Sequence, residues 1–387
     1  MQIPAIKTAK DMGFQVIASD RDPNAEGFRF VDHPLVIDTK DVKSHVEFAK
    51  ANKLKLNIIG AFAGADVAVT VAAITNALGL PGIPLQVAIA SNNKAIMKKK
   101  WLADKVSTPL SIEVKDIKDA KTALERTGLP AMVKAIDSAA SRGSKKIISE
   151  SELEDALEDA KKHSSTNTAI IEEFVDGNEY SVETIVYKGN HYHFGIVDRH
   201  FGFAPYAIEI GHTNPTNLPS DIQEQMYNIV KKAATSLGIE FGPAKADMIL
   251  TKKGPMILEM TSRLSGGWHS QYTTPLATGL DPIRVALNLA TGGKIKKEDT
   301  IPRYNRVSMC KAIFPKPGQI IKIDGVDEAK RIKGVAQVIL VVKEGDIIPP
   351  YKNCAHRVCY IITVADTREA AEKSWVKASE TIRILTR

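Results

Sequence analysis

The sequence predicts a mixed α/β and α+β protein, with an N-terminal Rossmann-like unit, a two-lobed middle and a small C-terminal α+β module. Strands and helices alternate with short connections through residues 1–90, which is the pattern of a parallel sheet. Extended runs between 168 and 260 are joined by tight Gly-containing turns, as in antiparallel hairpins. From about 300 onward come short strands and one last helix over 368–384. The expected units are therefore 1–90, 91–300 with a first lobe over about 108–170, and 301–387.

Each element has its own signal. Residues 1–12 read as a helix, with Ile3, Ala5, Ile6 and Ala9 on one side. FQVIASD (14–20) and PLVID (34–38) read as strands, KSHVEFAKAN (43–52) as a helix and LNIIGAF (56–62) as a third strand. Residues 66–79 form a small-residue helix that Gly79 closes. The chain opens on a helix where a first strand and Gly-rich turn are expected, so the opening strand is missing or replaced. Without that turn Asp20 has no dinucleotide site to serve and reads as a strand-end turn former.

Further along, 91–109 gives an N-capped helix and a loop, and 116–128 a second helix. AMVKAID (131–137) is a strand and SAASRGSKK (138–146) a small, flexible, basic loop. Residues 151–163 form an acidic amphipathic helix with a capping box from Ser151 to Glu154. Residues 168–198 supply a strand and a hairpin about Lys188-Gly189-Asn190; 223–238 is a helix, and 244–260 a hairpin about Lys252-Lys253-Gly254.

Composition narrows the class. At 44% hydrophobic and 25% charged residues this is an ordinary globular chain. Its most apolar stretch, 56–85, is broken by Gly60, Gly64, Asp66, Thr75 and Asn76, which excludes a membrane span, and the start carries no signal-peptide pattern. Cys310, Cys354 and Cys359 form no metal or redox pair, which fits a reducing cytoplasm. A net charge of +7 permits an anionic ligand, but the lysines are scattered apart from Lys98-Lys99-Lys100, and no nucleic-acid motif occurs. That run reads as a solvated basic face.

Chemistry concentrates in ILEMTSRLSGG (257–267). Glu259 interrupts an apolar strand, and a desolvated carboxylate there needs a partner. It could pair with Arg263 at a strand end, or hold a cation. The hairpin sets Asp247 on the strand opposite, and two adjacent carboxylates repel unless a proton or cation lies between them. Mg²⁺ is commonly held by one or two carboxylates together with substrate phosphates. Arg263 then suits phosphate oxygens, and Gly266-Gly267 lets backbone approach a ligand. Upstream, Lys134 precedes the small-residue loop, which suits phosphates without being a Walker motif. Glu173-Phe174-Val175, between Glu172 and Glu179, can offer backbone to an adenine edge and a carboxylate to a ribose. His191 and His193 share a strand face but have no third metal ligand and read as structural or surface residues.

The ordered series NKAIMK, MVKA, SAASRGS, IIEEFVDGNEYSVE, AKADMIL and ILEMTSRLSGG resembles the ATP-grasp family, over nearly the whole chain. Residues from AIFPKPGQ to AAEKS resemble the end of carbamoyl-phosphate-synthase-like and amino-acid-ligase-like members. The resemblance implies an ATP-grasp fold with a pre-ATP-grasp domain, and an enzyme joining a carboxylate to an amine through an acyl-phosphate. It implies that Lys94 and Lys134 contact ATP phosphates and that the loop with Ser141 and Gly143 folds over them. Glu172, Glu173, Phe174 and Val175 fall at the adenine, Glu179 at the ribose, and Asp247 and Glu259 at Mg²⁺, with Mn²⁺ as the alternative metal. Arg263, with Lys245 beside the phosphates, would stabilise the reacting anion. Thr261 stands where many relatives have Asn, which would weaken a second metal site.

Arg199, His200, Glu209, His212 and Trp268 are candidate contacts for small-molecule carboxylate and amine substrates. Neither nucleic acid nor membrane is expected as a partner; a homodimer is compatible with the resemblance. The identity of the carboxylate and amine stays open. A rival reading is an ATP-binding scaffold or sensor without ligase activity, motivated by the opening helix and Thr261. A second, basic RNA-binding protein would bind polynucleotide in a salt-sensitive way.

Overall fold

The computed structural model describes residues 2–387. The N-terminal helix Ile3–Asp11 buries Ala5, Ile6 and Ala9 as the sequence pattern predicts. Ile17–Asp20 pairs in parallel with His33–Val36, and Asp20 accepts from the Asp22 amide at 3.0 Å, as a turn former should. Residues 56–62 form no strand. Their backbone turns at Asn57 (φ 45°), and Gly60 lies so close to the Ala290 carbonyl that a Cβ would sit 2.4 Å from it. The apolar run therefore packs beside the helix Pro282–Ala290 instead of joining a sheet.

The first lobe is a four-stranded antiparallel sheet in the order Ser111–Val114, Ala169–Glu173, Ala131–Ala135, Ser144–Ile147. Helices Ile117–Thr127 and Leu153–Lys162 contribute Leu124 and Leu157 to its core, against Val133 and Ile171. The capping box at the second helix is Ser149 with Glu152, two residues earlier than the pattern predicts, because Glu152 reaches back to the amides of Ile148 (2.8 Å) and Ser149 (3.2 Å).

The second lobe centres on an eight-stranded antiparallel sheet. It runs Gly254–Thr261, Phe241–Thr251, Asn178–Tyr187, Asn190–Gly202, Ile208–Asn214, Val307–Ile313, Cys359–Ala365, Val335–Leu340. The last three strands belong to the region expected to be a separate module. Pairing of Ser308 with Asn214 and Lys311 with Gly211 makes one continuous sheet instead. Period-two alternation sorts the two faces of the sheet. Val182, Ala246, Met248 and Met260 pack with Met97 and Trp101 and with Met226 and Val230 of the helix Ser220–Leu237. Glu179, Ser181, Glu183, Lys245, Asp247, Glu259 and Thr261 fall at the alternate positions of the same three strands, where the cleft lies.

Candidate active site

The cleft is built where separate segments of both lobes meet. Asp247 and Glu259 are direct cross-strand partners, with a register shift just after Asp247. They are not left to repel each other. Asp247 lies 2.8 Å from Arg199 and also pairs with Lys245; Glu259 lies 3.1 Å from Lys94. Burial alone would raise the Asp247 carboxyl, but Arg199 and Lys245 hold it below its ordinary range. The strand-end pair between Glu259 and Arg263 does not form: Arg263 bonds Asp66 at 2.5 Å, across the cleft in the N-terminal unit.

Lys94 opens the helix Lys94–Ala103, which Asn93 caps through the Ile96 amide. Its ammonium donates to the Ser138 carbonyl at 2.9 Å, so one lysine touches both the basic loop and the acidic strand. Lys134 reaches Glu172 at 2.5 Å. The opposite carboxylate oxygen of Glu172 faces Lys98 at 3.4 Å. Burial works against the Glu172 charge, yet Lys134 and Lys98 hold its carboxyl down to about 2. Burial pushes Lys98 down to about 8, opposed by Glu172.

Arg199 gathers a second group. It contacts Glu179 at 3.3 Å, Glu209 at 3.2 Å and Asp247 at 2.8 Å. His212 is buried, bonds Thr273 at 3.0 Å and is pushed by burial down to about 4, so its imidazole is neutral at physiological pH. His200 does not join this group. It bonds Thr213 at 2.9 Å, in surroundings that include Lys311 and Asp198. Trp268 adopts φ 74° and is buried against Cys310 and Ile362, with Tyr272 and Tyr360 beside it, which makes it a packing group between the glycine loop and the C-terminal strands. Phe174 lies beneath the Lys146 ammonium at 3.7 Å, and Glu173 is tied to Leu110 through its amide at 2.9 Å. His193 stacks on Tyr227 and bonds Thr184, a structural role rather than a surface one.

The loop 138–144 is docked. Ser141 donates to the Ala207 carbonyl at 2.9 Å, and the Ala140 carbonyl accepts from the Cys354 amide at 3.1 Å. Ala140 and Ser141 hold left-handed φ of 59° and 61°, a conformation that costs L residues about 1–2 kcal/mol each. Gly143 has φ 62°, and a Cβ there would lie 2.9 Å from His163 and 3.1 Å from the Ala160 backbone.

Three residues of this region escape sequence reading. Lys98 sits in a charge run that reads as solvated, yet it is 1% exposed; its spacing of four from Lys94 was the available signal. Glu183 is wholly buried and accepts from the Ser265 amide (3.0 Å) and the Ser270 hydroxyl, pinning the loop after Arg263. It follows Glu179 and Ser181 at strand period, a signal masked by the apolar residues between them. Asp66 had none, since its partner lies almost two hundred residues away.

The donor set fits a divalent metal. Among the described residues no three or more His, Cys, Asp or Glu form a cage. Two opposed carboxylates with the buried, unpartnered Thr261 hydroxyl nearby are what Mg²⁺ uses alongside phosphates.

Comparison with known proteins agrees with this architecture. Residues 127–272 match the ATP-grasp domain family and residues 312–387 the L-amino acid ligase C-terminal domain 2. An uncharacterized protein of Sinorhizobium fredii is 27% identical over 353 residues, covering 89% of this chain and 72% of its own. A D-alanine–D-alanine ligase of Methylibium petroleiphilum is 25% identical over 219 residues, 52% of this chain and 67% of the ligase. The crystal structure of the L-amino acid ligase from Bacillus licheniformis superposes with TM-score 0.86 at 22% identity, over 99% of this chain and 95% of that one, a likeness of fold. Residues 127–272 thus match an ATP-grasp domain, and the fold of the whole chain is similar to that of the Bacillus licheniformis ligase. Residues 312–387 are similar to the second C-terminal domain of L-amino acid ligases.

Proposed function

We propose that the protein is an ATP- and divalent-metal-dependent ligase that joins a carboxylate to an amine through an acyl-phosphate. The observation that carries this reading is the meeting of Lys94, Lys134, Asp247, Glu259 and Arg263, from four separate segments, around one cleft. In this reading the Lys94 and Lys134 ammoniums bind phosphate oxygens, Glu173–Val175 meet the adenine and Glu179 the ribose. Asp247, Glu259 and Thr261 hold Mg²⁺, with Mn²⁺ as an alternative, and the ion when bound neutralises phosphate charge. The γ-phosphoryl group passes from ATP to a carboxylate oxygen. The amine nitrogen then bonds to the acyl carbon, phosphate leaves with the electron pair of its C–O bond, and the amine gives up a proton. Arg263 stabilises the oxyanion of that step, with Lys245 beside it. The 138–144 loop excludes water, which would otherwise hydrolyse the acyl-phosphate.

Glu172 serves adenine less directly than the resemblance implies, since both its oxygens face lysines. Arg199, Glu209 and His212 line the substrate side, whereas His200 and Trp268 support the surrounding structure. We take 1–90, 91–300 and 301–387 as working units, with the third sharing the sheet of the second. No helix among the described residues is long and apolar enough to cross a membrane, and three buried free cysteines fit a cytoplasmic setting.

The test is phosphate release from ATP over a panel of paired amino acids and small carboxylates. Stimulation by one carboxylate–amine pair, abolished by Glu259→Gln at ordinary Mg²⁺, is the expected result. Tight ATP binding with no turnover under any pair would favour the scaffold reading.

A further inference from the structure

Lys98 and Lys134 share a single buried carboxylate, yet they are placed very differently. Lys134 comes from the lid strand Ala131–Ala135, and its side chain keeps 18% exposure toward the cleft. Lys98 comes from the helix Lys94–Ala103, and its side chain is 2% exposed, with no opening through which a nucleotide could touch it. Its ammonium donates to the Thr108 hydroxyl at 2.8 Å, and that hydroxyl donates to the Ile257 carbonyl at 2.8 Å. Ile257 lies two residues before Glu259 on the same strand. One turn of helix away, Lys94 contacts Glu259 itself and the Ser138 carbonyl of the loop. The helix therefore ties the lid sheet to the acidic strand at two points, and Lys98 is the inner one.

A lone Glu172–Lys134 pair would form without Lys98, because one ammonium already neutralises one carboxylate. Lys98 adds a second cation beside a single contacting acid, and burying it carries a desolvation cost. A buried charge retained against that cost is best explained by geometry. Lys98 faces Glu172 Oε1 at 3.4 Å from the core side, an ion-pair contact without a hydrogen bond, and its charge turns the carboxylate so that Oε2 aims the Lys134 ammonium.

We propose that Lys98 is a positioning residue for nucleotide: through Glu172 it orients the Lys134 ammonium, and so sets affinity for the triphosphate without touching it. This rests on the reading of the cleft as a nucleotide site.

The experiment is a double-mutant cycle in the full chain, with binding of a non-hydrolysable ATP analogue plus Mg²⁺ measured by calorimetry at neutral pH. Lys98→Met keeps the side-chain length and leaves Glu172 paired with Lys134, so the fold should survive; Lys98→Gln is the second variant should Met not fold. Lys98→Met and Lys134→Ala should each weaken binding about tenfold, and the double variant should also be weakened about tenfold, because both act through one contact. Effects that multiply to about a hundredfold would show independent sites and overturn the proposal, as would unchanged affinity in the Lys98 variants. If the unmodified protein binds no nucleotide, the cleft assignment falls as well, so the two failures are distinguishable.

Discussion

Replacing Glu172 by Gln tests the centre of the site through stability alone. The change keeps shape and removes the one negative charge in contact with Lys134 at 2.5 Å and Lys98 at 3.4 Å. Breaking a buried pair by removing one partner costs about 3–5 kcal/mol, because the remaining charge is buried without compensation. The depression of the Glu172 carboxyl from an ordinary 4.5 to about 2 leads to a similar order, about 3 kcal/mol in favour of the charged form. Urea unfolding followed by tryptophan fluorescence is a suitable assay. Trp101 is fully buried on the Lys98 helix, with its indole N–H on the Ala233 carbonyl at 3.1 Å.

The pH dependence carries a sign. In the unmodified protein the Glu172 contribution is complete above the unfolded value of 4.5 and is lost as pH falls toward 2. In the variant both lysines lack their acceptor, so the folded state releases protons that the unfolded chain retains, and stability rises as pH is raised above neutral. The gap between the two proteins should be widest near neutral pH and should narrow in both directions. A loss below about 1 kcal/mol at neutral pH, with a gap that stays constant, would refute the buried triad as a structural charge centre.

Other outcomes follow from the same geometry. Lys134→Ala should weaken nucleotide binding by about 1.5 kcal/mol, roughly tenfold and at the lower end for a charge-assisted contact, whereas Lys162→Ala on the exposed end of the acidic helix should leave it unchanged in the same titration. Gly143→Ala forces a Cβ to 2.9 Å from His163 at φ 62°, so it should destabilise the loop by about 1–2 kcal/mol and raise protease cleavage near Arg142. Amide exchange over 138–146 should slow when an ATP analogue and Mg²⁺ are added, while helix Ser220–Leu237 stays as it was; equal rates with and without ligand would remove the loop from the nucleotide site.

Much of this was readable from local pattern. The helices at 3–11, 42–52 and 117–127 follow from apolar spacing and caps, and the two hairpins from Gly turns between extended runs. The Gly turn puts Asp247 and Glu259 on adjacent strands, but its unbroken register would set Asp247 opposite Leu258, and the bulge after Asp247 is what pairs it with Glu259. These are short-range properties, fixed within a dozen residues. What depended on distant partners was not readable. Residues 56–62 have strand composition but lie against Ala290, since a strand needs a neighbour as well as a propensity. The C-terminal strands extend the central sheet because Val307–Ile313 finds the free edge of Ile208–Asn214, a match that no local pattern encodes. Lys98 looks like its neighbours Lys99 and Lys100 in the sequence, and only burial beside Glu172 sets it apart. Arg263 reads in the sequence as a partner for an anionic ligand, whereas the anion it meets in the folded chain is Asp66, brought there by tertiary packing. Charge can be read from sequence; which charges share one low-dielectric pocket is decided by tertiary structure, because the free energy of an ion pair depends on distance and burial rather than on order along the chain.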